Sequence, residues 1–100
     1  MNKEMTFTIA TSHPALEGHF PGNPVVPGVI ILDEVISIIK SIKPELTVSA
    51  MPNIKFIKPL LADQLVTVEV NHKSETALNF SCFHNDTKIV TGQMTLKSQP

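Results

Sequence analysis

One hundred residues, 42% hydrophobic and 17% charged, suit one soluble domain with one core. The net charge is −1, from eight lysines with no arginine against nine acids. That balance argues against a nucleic-acid surface and removes the bidentate clamp arginine offers to carboxylate or phosphate. The longest unbroken apolar run, Val29-Ile30-Ile31-Leu32, is far short of the ~18 residues a membrane helix needs.

The start of the chain, MNKEMTFTIA, lacks the apolar stretch of a signal peptide. Cys82 is alone, which rules out an intramolecular disulfide. A cytoplasmic location without membrane insertion is expected. For Cys82 the expected role is a small buried hydrophobe in a strand.

The first element is MTFTIAT, residues 5–11, where Met5, Phe7 and Ile9 alternate with threonines as in a half-buried strand. A proline-rich loop runs from His13 to Gly28. Next, VIILDEVISIIKSIK (Val29 to Lys43) places Asp33, Ser37 and Lys40 at helical spacing among Ile, Leu and Val. The pattern predicts a helix that is apolar around well over half its circumference. Pro27 and Gly28 suit its start, and Pro44 stops it. Thr47 to Ile57 is expected to form one loose strand, with Pro52 at a bulge or edge position. Further strands are expected over Gln64 to His72, over Ala77 to Phe83 with Leu78, Phe80 and Cys82 on one side, and over Ile89 to Leu96. His84-Asn85-Asp86-Thr87 is a hairpin turn.

A strand, a helix and four more strands make an α+β arrangement, with an antiparallel sheet packed on one helix. One small sheet covers only one side of a helix this apolar, so a dimer is expected. A mean hydropathy of +0.13, high for so small a protein, points the same way.

The segment HFPGNPVVPG, His19 to Gly28, holds three prolines and two internal or terminal glycines, yet is otherwise mostly apolar. It is too stiff for a helix or central strand and too apolar for a surface linker. It delivers the chain to a helix start, where the first amides lack internal partners and carry partial positive charge. The Gly28 amide is therefore a candidate holder for an oxygen that gains negative charge. His19 is a candidate general base. Asp33 and Glu34, on a mostly apolar helix, are candidate acids. A base, an acid and an oxyanion site are the parts needed to take an α-proton and expel a β-hydroxyl. The same residues also fit a solvated loop histidine and carboxylates on a water-facing stripe.

HFPGNPVVPGVIILDE resembles the signature of the 3-hydroxyacyl-acyl-carrier-protein dehydratases, whose fold is the hot-dog. The match includes the histidine (His19), the Pro-Gly that precedes the helix, and the acid, which falls on Asp33. IKFIKPLLADQL resembles a second strand and turn of that family, although Leu61-Ala62-Asp63 is one residue shorter than the usual turn. The compact form and the adjacent Asp-Glu pair are most like the small dehydratases of aryl-polyene-type clusters.

The resemblance implies a curved antiparallel sheet wrapped around a central helix, acting as a dimer. It implies that His19 is the catalytic base, that Asp33 of the neighbouring subunit is the acid with Glu34 as the alternative, and that the Gly28 amide polarises the thioester. Phe20, Pro27, Val29 and Phe56 are expected to bind the substrate, with Phe20 and Phe56 in the core or on the tunnel wall. The implied substrate is a 3-hydroxyacyl chain on the 4′-phosphopantetheine of acyl carrier protein, with no other cofactor. The partners implied are that carrier protein and further copies of this chain, as a homodimer or higher oligomer, or a different hot-dog chain in a heteromer. The alternatives are an acyl thioesterase and a non-catalytic subunit of a heteromeric dehydratase.

His13, His72 and His84 match no zinc spacing, and no metal is expected. Ser37 reads as a polar helix position and Asn23 as a turn residue. Lys55 and Lys58 fit either solvated strand positions or contacts to a phosphate or an acidic carrier.

Overall fold

The computed structural model describes residues 2–10, 12–13, 16 and 25–98, with side chains from Glu4 onward. Its elements are β1 (Asn2–Thr8), α1 (Gly28–Ile42), β2 (Leu46–Ala50), β3 (Lys55–Phe56), β4 (Leu65–Ser74), β5 (Ala77–His84) and β6 (Thr87–Ser98). The strands form one antiparallel sheet in the order β1-β4-β5-β6-β2, with β3 pairing β6 beside β2.

Period-two alternation sets the inner face. Val66, Val68 and Val70 of β4, Leu78, Phe80 and Cys82 of β5, and Val90, Met94 and Leu96 of β6 are all buried. They stand in cross-strand rows: Val68 opposite Cys82 and Cys82 opposite Val90, then Val70 opposite Phe80 and Phe80 opposite Gly92. The helix adds Ile31, Val35, Ile38 and Ile39 to the same cluster. This is the expected α+β layering, with one helix against a curled antiparallel sheet. The opposite face carries Thr67, Glu69, Ser81, Thr91 and Gln93, a polar alternation suited to water.

Two expectations need correction. The reading of Thr47 to Ile57 as one strand fails: β2 ends at Ala50, and β3 begins at Lys55. Between them Pro52 offers no amide to a ladder, and Asn53 takes a left-handed φ of 60°. The two pieces pair with different parts of β6, Leu46–Val48 with Leu96–Ser98 and Lys55–Phe56 with Val90–Thr91. The first strand lies at Asn2–Thr8 and not at 5–11, because pairing with β4 draws the more polar residues Asn2 to Glu4 into the ladder.

The helix begins at Gly28, with Pro27 as its cap residue at φ −58°, ψ 141°, and Ile30 donates to the Pro27 carbonyl at 3.0 Å. At its other end Lys43 N–H bonds the Ile39 carbonyl at 2.8 Å, just ahead of Pro44. The hairpin turn lies at Asn85-Asp86, where Asn85 has φ 54°. No helix among the described residues is long and apolar enough to cross a membrane.

Candidate active site

The chain approaching the helix is clamped before it arrives. Val26 N–H bonds the Leu60 carbonyl at 2.8 Å, and Val25 bridges to Leu61. Both Val26 and Leu60 are buried, which fixes this clamp in the core. The turn after Leu60 is closed by one side-chain and one backbone hydrogen bond. Gln64 Oε1 accepts from Leu61 N–H at 3.0 Å, Asp63 N–H reaches the Ile9 carbonyl at 2.8 Å, and Asp63 takes a left-handed φ of 68°. Gln64 thus substitutes for a missing backbone acceptor and helps hold the helix start in place.

At that start lies a groove of about 390 Å³, lined by Val26, Gly28, Ile31, Phe56, Ile57, Lys58, Pro59 and Leu60. The Gly28 amide lies in the first turn, whose donors have no carbonyl within the helix to bond. The outer edge of the Phe56 ring packs against Gly28 where a side chain would stand: a Cβ built on Gly28 would lie 2.7 Å from Phe56 Cζ and 2.8 Å from Cε1. Phe56 is still 51% exposed, so the rest of the ring forms an open wall of the groove. Lys58 is the charged side chain of this lining, whereas Lys55 is absent from it. A larger depression, about 480 Å³, lies among Lys43, Glu45, His72, Glu75 and Lys97, at the opposite end of α1 from Gly28. Its lining of mixed charges holds no helix start, so size alone does not select it.

Of the residues the sequence singles out, Gly28 and Phe56 line this groove; the cap residue Pro27 and Val29, 62% exposed, are not part of its lining. Asp33 lies elsewhere. It is exposed on a helix stripe with Val29, Ser37 and Lys40, and it does not line the groove. Glu34, one residue on, is half-buried. The structure thus separates two carboxylates that helical angle alone leaves equivalent. His19 and Phe20 lie outside the described residues, as does Asn23. Ile57, Pro59 and Leu60 belong to the groove although the sequence reading did not single them out. Their signal was the apolar run on both sides of Lys58.

Cys82 is fully buried, and burial pushes its thiol up to about 12, so it is no nucleophile at neutral pH. The His84 ring nitrogen Nδ1 bonds the Leu65 carbonyl at 2.9 Å, a structural role at a strand end.

Comparison with known proteins places this geometry in context. The family model described as ApeI dehydratase matches residues 1–93. The 3-hydroxyacyl-[acyl-carrier-protein] dehydratase FabZ of Ehrlichia ruminantium is 36% identical over 93 residues, covering 81% of this chain and 61% of the relative. The chain thus spans about three fifths of the length of that relative. Among solved structures, the dehydratase heterocomplex ApeI:P from Xenorhabdus doucetiae superposes with a TM-score of 0.82 at 23% identity, covering 95% of this chain and 86% of that one. A probable thioesterase from Bartonella henselae superposes with a TM-score of 0.69 at 16% identity, covering 98% and 91%. At such identities the two structures speak for the hot-dog fold alone.

Proposed function

The chain belongs to the ApeI-like dehydratase family, and from that premise we propose that it removes water from a 3-hydroxyacyl thioester on acyl carrier protein to give the 2-enoyl thioester. The observation that carries this reading is the Gly28 helix start, held open on an apolar groove by the Val26–Leu60 clamp. An elimination of this kind gathers negative charge on the thioester oxygen, and an oriented amide on an apolar groove stabilises that charge.

The proposed steps follow from the chemistry. His19 takes the α-proton. Its bonding pair moves toward the carbonyl, whose oxygen is held by the Gly28 amide, and then forms the Cα–Cβ double bond. The Cβ–O bond breaks, and Asp33 donates its proton so that the hydroxyl leaves as water. No electrons are gained or lost overall, so the reaction needs no redox cofactor. The pantetheine arm belongs to the substrate.

We place Asp33 opposite the groove of a second hot-dog chain. Within one chain it lies on the exposed stripe of the helix, outside the groove, beside the exposed Val29. Phe56 and Ile57, 51% and 43% exposed, extend the apolar surface that such a partner would cover. Small dehydratases of aryl-polyene-type pathways are the setting that fits best, with an identical or a different hot-dog chain as partner.

The test follows the absorbance of the conjugated enoyl thioester formed from a 3-hydroxyacyl substrate. The chain has no Trp or Tyr, so little background obscures it. Growth of that band supports dehydration. Release of free thiol without it supports the second reading, acyl thioester hydrolysis. Activity that depends on adding another hot-dog chain supports a heteromeric enzyme.

A further inference from the structure

We infer that Phe56 is a positioning residue that shapes the approach to the Gly28 helix start, and that glycine at position 28 leaves room for its ring. The inference rests on the dehydratase reading above. Gly28 is the first residue of α1, in helical backbone that any residue adopts, so conformational freedom does not explain a glycine there. The obstacle to a side chain is the ring. A Cβ at 28 would sit 2.7 Å from Phe56 Cζ and 2.8 Å from Cε1, closer than real contacts allow, and a tight 3.3 Å from Cε2.

The ring is aimed there by a short, firm anchor. Phe56 pairs with the buried Val90, and the next residue, Ile57, donates to the Ile89 carbonyl at 2.7 Å. One edge of the ring therefore touches the helix start while its open part walls the groove. An apolar wall beside an amide keeps water from competing for it and restricts how a carbonyl can approach. The wall is also movable. Its contacting atoms are the far end of a half-exposed side chain, so a methyl group at 28 would swing the ring aside and leave the core intact.

The experiment compares the parent with Gly28→Ala, Phe56→Leu and the double variant, reading kcat and KM for enoyl formation and checking folding by thermal denaturation. Gly28→Ala is expected to fold normally and to lower kcat by about 10-fold or more, with KM changing less. Phe56→Leu is expected to lower kcat by a smaller factor. The double variant is expected to match Phe56→Leu and to exceed Gly28→Ala, because the added methyl then displaces nothing.

Losses that multiply in the double variant, or an effect on KM alone, overturn the inference and leave the dehydratase reading standing. A parent that forms no enoyl product overturns the dehydratase reading, and the inference with it. Proton NMR then still reports the packing, because the Gly28 α-protons, lying under the ring edge, are expected to shift in Phe56→Leu. No shift there overturns the pairing itself.

Discussion

Ile54 closes over Gly92, its Cδ1 occupying the place a side chain at position 92 would need. A Cβ there would also lie 3.1 Å from Phe80 Cε1 and 3.3 Å from the Ile54 Cα. Gly92 sits in the row of Val70 and Phe80, at the centre of the buried face. Here, unlike at Gly28, the obstacle includes backbone. Gly92→Ala is expected to cost about 1–3 kcal/mol, the range for overpacking a close-packed core. Urea denaturation measures it, and an unchanged midpoint would contradict the packing described.

Asp33 and Glu34 are expected to differ sharply in kinetics. Asp33→Asn should lower turnover by roughly 10²-fold or more, the usual effect of losing a general acid. Glu34→Gln, at a half-buried position on the flank of the helix, should leave most of the activity. The reverse order would transfer the acid role to Glu34.

If His19 and Asp33 act across two chains, inactive variants should complement each other. His19→Ala and Asp33→Asn, each reduced by roughly 10²-fold alone, are expected to regain a substantial part of parent activity once mixed and allowed to exchange subunits. Each hybrid pair then holds one intact site. Activity that stays at the level of the separate variants would place both residues in one chain.

Cys82 gives a pH dependence with a definite sign. Its thiol rises from an ordinary 9.0 to about 12 in the folded chain because burial disfavours the thiolate. The unfolded chain ionises it near the ordinary value. The contribution to stability is therefore complete below pH 9 and is lost as pH climbs from 9 to about 12. Urea midpoints of the parent are expected to fall more steeply over that window than those of Cys82→Ala. Parallel curves would contradict this assignment.

The sheet was largely legible because period two survives in strands buried on one face. Leu78, Phe80 and Cys82 were assigned to one side, and all three are buried. The break between β2 and β3 was not legible. Pro52 marked an irregularity, but the split also depends on β6 being long enough to pair with both pieces at different points. Gln64 closing its turn through a side-chain oxygen is likewise a tertiary fact, invisible in composition. For the candidate site, the helix pattern puts Gly28 at or next to the helix start, where the structure has it, and Phe56, which the family resemblance assigns to a tunnel wall, lines the groove beside it. The pattern left Asp33 and Glu34 equivalent, because neighbours on a helix share nearly one angle and only packing sorts exposed from half-buried.

The most direct measurement is the mass of the carrier-bound acyl group after incubation of a 3-hydroxyacyl carrier protein with this chain, alone and with His19→Ala alongside. The expected result is loss of one water with the acyl group still attached, and almost none with His19→Ala. Carrier protein stripped of its acyl group, with free acid released, would contradict dehydration and put thioester hydrolysis in its place.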